Sequence, residues 1–351
     1  MKNRYTYLLL TLLPLALLVC TACKNGGGES VDINFEQTKQ QIEASPNDTK
    51  IQTELLQKLD QSIEKNPNDD KSLYLRTKVL MNLKRDSEAL IDIDKALNIA
   101  PDNLGYLLLK VDLCLRNGNM TECYKVLQHA EELYPENQEV LLKMGELTFD
   151  SRDFDRSLEY LSKVTAKDAD NRTALFMKGY IYKEKGDTAS AVQFFRRVCD
   201  KYPTYALAFE ELGVLYATRN EPMALEYLNT ARQLEPSNTN VLYNLAMFYQ
   251  NNEDMENAET LYRQILDINP NSADAYHNLG YIELFHYRDY ERAIEFFNKA
   301  LECDATHSAS YFNRGCAYKL SGNQRAANAD FQTALELDPS FRQNIEDLKR
   351  I

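Results

Sequence analysis

The sequence predicts an all-α solenoid, one long array of antiparallel helix pairs in place of two or three ordinary domains. Three observations carry this. Prolines at 67, 101, 135, 203, 236, 270 and 339 are spaced by 34, 34, 68, 33, 34 and 69 residues, all within one residue of a multiple of 34. Small residues keep the same beat at Gly145, Gly179, Gly213, Ala246, Gly280 and Gly315, and a second small residue follows at Ala191, Ala224, Ala258, Ala293 and Ala327. Between them, apolar residues recur at helical spacing. A fixed period of this length overrides any domain count taken from the 351 residues of the chain.

Taken in order, the chain opens with Lys2 and Arg4, then an almost wholly apolar run from Leu8 to Val19. A run of that length is the core of a signal peptide and falls short of the roughly 20 residues of a membrane span. Thr21-Ala22-Cys23 and the flexible "KNGGGES" follow. The order resembles the lipobox of bacterial lipoproteins, with Ala22 as the small residue before the cysteine. The resemblance implies cleavage of residues 1–22 and acylation of Cys23, with 23–31 as a Gly-rich tether. Cys20 is the poorer candidate because bulky Val19 precedes it. Cys20-x-x-Cys23 as a redox or zinc pair would need a folded frame that an export signal does not supply. Plain secretion after cleavage at Ala22 is the alternative. Lys24 follows the cysteine directly, without the Asp that retains many lipoproteins at the inner membrane, so the expected address is the outer membrane of a bacterial envelope.

Residues 32–69 hold two amphipathic stretches, "INFEQTKQQIEA" and "KIQTELLQKLDQSIEKNP", expected to form a degenerate helix pair capping the array. Eight repeats follow at 70–103, 104–137, 138–171, 172–205, 206–238, 239–272, 273–307 and 308–341. The fifth is one residue short and the seventh one long, both near the turn between the paired helices. In the fourth, the defining positions read Leu175, Lys178, Gly179, Tyr182, Ala191, Phe195, Val198 and Pro203; in the eighth, Tyr311, Arg314, Gly315, Tyr318, Ala327, Phe331, Ala334 and Pro339. This pattern resembles the tetratricopeptide repeat (TPR) family, and implies a right-handed superhelix of helix pairs. The residues supply independent reasons. A small residue at position 8 lets the first helix of a pair approach the second. "NGN", "KGD" and "SGN" place Gly at a left-handed helix end, and "PDN", "PEN" and "PSN" supply the cap of the next helix. Residues 342–351 are expected to close the array as a solvating helix.

The resemblance also implies a binding groove lined by positions 2, 5, 9 and 12. These read Lys71, Tyr74 and Lys78; Asp112; Glu139, Glu146 and Phe149; Phe176, Tyr180 and Lys183; Asn240, Tyr243 and Met247; Asp274, His277, Tyr281 and Leu284. The expected groove is acidic early and aromatic later, suited to a partner segment with basic and apolar residues. Several of these side chains would pack between helices instead. The Lys and Asn pattern of the TPR clamp that seizes a C-terminal carboxylate is missing at position 5, which reads Tyr74, Leu108, Leu142, Phe176, Glu210, Tyr243, His277 and Phe312.

A net charge of −13 argues against nucleic acid and anionic lipid surfaces as partners. No nucleophile, metal or phosphate-loop motif occurs, so no catalytic residue, metal, cofactor or small-molecule substrate is expected. The four histidines, 129, 277, 286 and 307, are too scattered for a zinc set. Cys114 and Cys123 sit equidistant from one turn, within reach of a disulfide in an oxidising compartment, and both states stay open. The expected function is a non-catalytic scaffold, lipid-anchored in a bacterial envelope, that binds other envelope proteins or their peptide segments. A soluble secreted binder and a self-assembling structural protein are the alternatives.

Overall fold

A computed structural model describes residues 33–350, and the apolar leader, Cys20, Cys23 and the Gly-rich tether lie outside them. The described residues form nineteen α-helices and no strand. They are α1 Phe35–Ala44, α2 Thr49–Lys65, α3 Asp70–Asn82, α4 Asp86–Ile99, α5 Leu104–Arg116, α6 Met120–Leu133, α7 Gln138–Asp150, α8 Phe154–Lys167, α9 Arg172–Glu184, α10 Thr188–Lys201, α11 Ala206–Ala217, α12 Met223–Leu234, α13 Thr239–Asn251, α14 Met255–Ile268, α15 Ala273–Ile282, α16 Tyr290–Cys303, α17 Ser308–Leu320, α18 Gln324–Leu337 and α19 Arg342–Arg350. They gather into two compact parts that divide between Val164 and Thr165. No helix among the described residues is long and apolar enough to cross a membrane.

In five of the eight repeats, the spacing within a pair is set by a glycine against a large side chain; Thr77, Val111 and Ala246 take that position in the other three. A Cβ built on Gly179 would lie 2.8 Å from the Phe195 ring, on Gly280 2.8 Å from Phe297, and on Gly315 2.6 Å from Phe331. Leu161 and Leu228 stand in the same place opposite Gly145 and Gly213. The helices therefore meet where position 8 has no side chain, and the ring or leucine at position 24 fills the gap.

Each of the eight repeats turns through one left-handed residue: Lys84, Gly118, Arg152, Gly186, Asn220, Glu253, Arg288 and Gly322. The N–H of the residue after it reaches back to close a Schellman motif, as in Asn119 N–H to the Cys114 carbonyl (2.9 Å) and Asp187 N–H to Tyr182 (2.9 Å). Glycine fills this position in only three of the eight turns, and the other five hold L-residues at φ of 54–62°. The two irregular repeats are absorbed beside this turn. In the fifth, Ala224 follows Asn220 by four residues where Ala191 follows Gly186 by five, and α12 has 12 residues where α10 has 14. In the seventh, the extra residue opens a π-helical turn, Glu283–Tyr287, and the closing bond stretches to Asp289 N–H on the Glu283 carbonyl (2.9 Å).

The core of each part runs between its helices. In the first, Ile42, Leu59, Leu73, Val79, Ile93 and Leu113 are among the packed residues, so α1 and α2 cover one end of α3 and α4. In the second, Ile345 and Leu348 of α19 pack on the cluster of Leu284, Phe297 and Phe331. Position 7, apolar in the family pattern, is a cation in four repeats, and two of these carry the same buried fork. Arg76 Nε and Nη2 donate to both oxygens of Asp92 (2.7 and 2.8 Å), and its Nη1 donates to Asp60 (2.8 Å). Arg314 does the same with Asp330 (2.7 and 2.8 Å) and Asn298 (2.6 Å).

Two predictions follow from this packing. Glycine at Lys84 or Glu253 removes a left-handed L-residue and is expected to raise stability by about 0.5–1 kcal/mol each, read from urea or thermal midpoints. Asp92→Ala leaves the Arg76 guanidinium without its main partner and is expected to cost about 3–5 kcal/mol, whereas Arg76→Leu with Asp92→Leu restores most of that loss.

Candidate partner-binding faces

In the first part, the first helices of successive repeats bring the expected residues onto one face. Phe35, Tyr74 and Tyr106 stack in sequence, with ring centroids 6.2 and 5.1 Å apart, and the Tyr106 hydroxyl donates to Asp70 (2.9 Å). Lys78 lies 5.8 Å from the Tyr74 ring centre and is paired with Glu43 at 2.5 Å. Burial raises the Tyr74 phenol; Lys39 opposes that shift, and Glu43, Asp112 and Glu139 add to it. Lys143 pairs with Asp112 at 2.5 Å. Glu146 beside it has its carboxyl raised by burial; Lys143 opposes the shift, and Asp150, Asp112 and Glu139 reinforce it. Burial also raises the Asp150 carboxyl. Asp112, Glu139 and Glu146 thus act on one ammonium and Asp150 acts on Glu146, so the face carries more carboxylates than the lysine they share.

In the second part, the expected residues divide. Phe176 is buried against Phe195 (5.3 Å) and, edge-on, Tyr205 (5.4 Å), so its ring belongs to the core. Tyr180 is half-buried beside it under Lys183, whose ammonium lies 5.0 Å from the ring centre and pairs with Glu211 at 2.5 Å. The Tyr243 hydroxyl accepts from Asn278 (3.4 Å). Met247 is half-buried, its sulfur 3.2 Å from the Tyr262 hydroxyl. Tyr281 remains exposed. Leu284, expected on the groove from the spacing, is buried instead. The π turn advances the helix by one residue, so counting back from the left-handed Arg288 puts Phe285 where Lys183 stands relative to Gly186.

His277 forms a chain that sequence reasoning did not anticipate. Its Nδ1 lies 3.0 Å from Ser310 Oγ, and its Nε2 lies 3.4 Å from Asn313 Nδ2. The same Ser310 hydroxyl is 2.8 Å from His307 Nδ1, whose Nε2 lies 3.3 Å from Asp274. Ser310 N–H donates to His307 Nδ1 as well (3.2 Å), which makes that nitrogen an acceptor. One assignment satisfies every group: Asn313 donates to His277, His277 to Ser310, Ser310 to His307, and His307 to Asp274. Serine, histidine and aspartate here are the residue types of a hydrolytic triad, but Ser310 is fully buried, so its hydroxyl joins α15 to α17 and meets no substrate. Burial, then the neighbouring His307, lowers the His277 pKa from 6.5 to about 4.

Cys114 and Cys123 are both free, buried thiols on α5 and α6. Burial first, and Cys114 next, push the Cys123 thiol up to about 12. A cavity of about 480 Å³ opens among α4, α5 and α6, lined by residues including Asp94, Lys110, Lys125 and His129, with Lys110 held by Asp94 (2.9 Å) and Glu122 (3.1 Å). Among the described residues, no group of three or more His, Cys, Asp or Glu could hold a metal ion.

Tetratricopeptide-repeat family models match residues 142–206, 238–306 and 296–328. The C-terminal part of a TPR repeat-containing protein from Cytophaga hutchinsonii superposes with a TM-score of 0.55 at 18% identity, covering 68% of this chain and 97% of that one. The fold is a TPR solenoid. The Cut9–Hcn1 hetero-tetramer of the APC/C shares it, with a TM-score of 0.54 at 20% identity over 85% of this chain and 59% of that one. In sequence, the solenoid is 25% identical over 259 residues to a TPR repeat-containing protein of Methanocaldococcus jannaschii, covering 73% of this chain and 41% of the relative. It is 22% identical over 272 residues to BBSome complex member BBS4 of Bos taurus, covering 74% and 52%. It also matches a human protein named as an O-mannosyl-transferase, TMTC3, at 25% identity over 65% of this chain and 23% of the relative. The chain thus spans about half or less of the length of these curated relatives. TPR solenoids bind other proteins or peptides, and no catalytic constellation is evident among the described residues.

The buried histidine gives a signed pH prediction. With a folded pKa near 4 and an unfolded value near 6.5, His277 takes up its proton more readily in the unfolded chain. Its contribution is full above pH 6.5 and is lost as pH falls toward 4, by at most about 3 kcal/mol. Thermal midpoints of His277→Gln are expected to fall less steeply over that window than those of the parent chain.

Proposed function

We propose that this chain is a non-catalytic scaffold, anchored through an acylated Cys23 in a bacterial envelope, outer membrane by preference, and that it binds segments of envelope proteins along the faces of its first helices. The observation that carries the binding reading is the crowded face of α3, α5 and α7, where Asp112, Glu139 and Glu146 gather on Lys143, with Asp150 next to Glu146, beside the Tyr74 stack. A basic side chain arriving there gains charge-assisted hydrogen bonds and lifts the mutual repulsion of the carboxylates. Half-buried Tyr180 and Tyr243 supply large contact area at low rotamer cost in the second part. Relatives named as a BBSome complex member and as a mitochondrial import receptor subunit are consistent with a solenoid put to work within assemblies. The anchor rests on the leader and lipobox order alone, and would concentrate the solenoid at the membrane.

The test has two arms. Cross-linked pull-downs from solubilised membranes would compare the parent chain with Glu146→Lys and with Tyr180→Ala plus Tyr243→Ala. Loss of a defined partner set with helicity unchanged supports binding at these faces, and full retention moves the interface elsewhere. Mass spectrometry of the N-terminal peptide is expected to show acylated Cys23 as the first residue, with Cys23→Ser released to the soluble fraction. An unacylated Cys23 terminus would leave a secreted binder.

A further inference from the structure

The π turn of the seventh repeat gathers features that the packing of the repeat does not require. Among the described residues, the large apolar and aromatic side chains left exposed include three rings, and all three fall within it or just before it: Tyr281 at 36%, Phe285 at 48% and Tyr287 at 49%. Tyr281 and Phe285 lie 4.6 Å apart, and His286 meets Tyr287 edge-on at 4.8 Å. A single inserted residue produces this turn, and π turns of this kind recur at functional sites. Behind the rings, Glu283 is 3% exposed. Its Oε1 pairs with Arg292 at 3.1 Å, while Oε2 is buried with no hydrogen-bond partner. Glu259 lies beside it and is partly exposed, its Oε1 accepting from Arg263 (2.5 Å) and its Oε2 from the Tyr287 hydroxyl at 3.5 Å. The Tyr287 phenol feels Glu259, Glu283 and Glu256 together.

We propose that this turn is a docking site for an arginine side chain of a partner protein segment. One buried carboxylate oxygen lacks a donor, and a second, on Glu259, has only the long bond from an exposed tyrosine. A guanidinium is the group that supplies several donors in one plane while stacking on an aromatic face. Aliphatic neighbours of the arginine would cover Tyr281 and Phe285. The site lies on the end of α15, the π turn, and residues of α14 and α16 beside it. The proposal rests on the protein-binding reading above and narrows it to one side chain.

The experiment titrates the full chain, labelled with ¹³C-tyrosine, with the peptide acetyl-Leu-Arg-Leu-amide and with its citrulline counterpart, a neutral isostere. Tyr281→Phe and Tyr287→Phe assign the two ring signals. Saturable shifts of both rings are expected with the arginine peptide at a Kd of about 1 mM. Citrulline is expected to bind about ten-fold more weakly. Glu283→Gln and the more exposed Glu259→Gln should each weaken arginine binding, with thermal midpoints showing that both variants fold. Equal shifts from the two peptides, no saturable shift by about 10 mM, or indifference to both glutamine variants overturns the proposal. Such a result leaves the pull-down arm with Tyr180 and Tyr243 untouched, so failure here and failure of the scaffold reading are told apart.

Discussion

The approach of a bare glycine to a large side chain sets the geometry on which the rest of this chain depends. Because Gly179, Gly280 and Gly315 carry no Cβ, the rings of Phe195, Phe297 and Phe331 close on the backbone of the facing helix. A pair held that tightly must reverse direction in a few residues. The Schellman closure and its left-handed residue follow from that, one per repeat. Neither helix of a pair can then bury its remaining apolar stripe within the pair, so that stripe is left for the next pair. The side chains outside both contacts are those free to meet a partner. Close approach, turn and binding face are thus three consequences of one packing choice, made with glycine in five of the eight repeats.

Most of this is legible in the sequence because the period encodes it. The prolines, the position-8 glycines and the asparagine caps are each dictated by local backbone need, and the structure shows Asn103, Asn137 and Asn238 accepting from the first N–H groups of their helices as expected. What the period does not encode was not readable. Left-handed turns at Lys84, Arg152 and Glu253 carry residues with no preference for that conformation, and only the closure of the pair imposes it. The length of the seventh repeat announced an extra residue without saying how the helix would hold it. A π turn was chosen over a longer loop, which moved Leu284 inward and Phe285 outward. The meeting of His277 with Ser310 and His307 depends on how one pair stacks on the next. Residues some thirty apart in the chain share no local signal of that contact.

Charge is distributed with the same logic. Arg76 and Arg314 replace an apolar residue within the helix pairs, and each is matched by an aspartate on the second helix of its own pair and a polar group on the helix before it. Such forks gain little stability over an apolar pair, but they penalise any pairing that leaves the guanidinium alone. In an array of near-identical hairpins, where misregistered pairing is the natural error, that penalty favours one arrangement. The carboxylates of the α7 face are treated in the opposite way. Glu146 and Asp150 sit where burial raises them, a cost that Lys143 offsets only in part at Glu146.

The contrast between those carboxylates and the Asp274–His307–Ser310 chain separates binding from catalysis here. The latter has the residue types of acyl transfer, yet its hydroxyl is buried and the chain of donors begins at an asparagine side chain. Residue identity alone therefore overstates its chemistry, because a nucleophile has to reach its substrate. The acidic face and the π turn have no such reactive order, but the first keeps carboxylates raised by burial and the second a buried oxygen, Glu283 Oε2, with no donor. Unspent hydrogen-bonding capacity beside aromatic area is what a partner can use. A fold that satisfies its internal histidines, and leaves Glu283 short beside exposed rings, offers a surface for recognition.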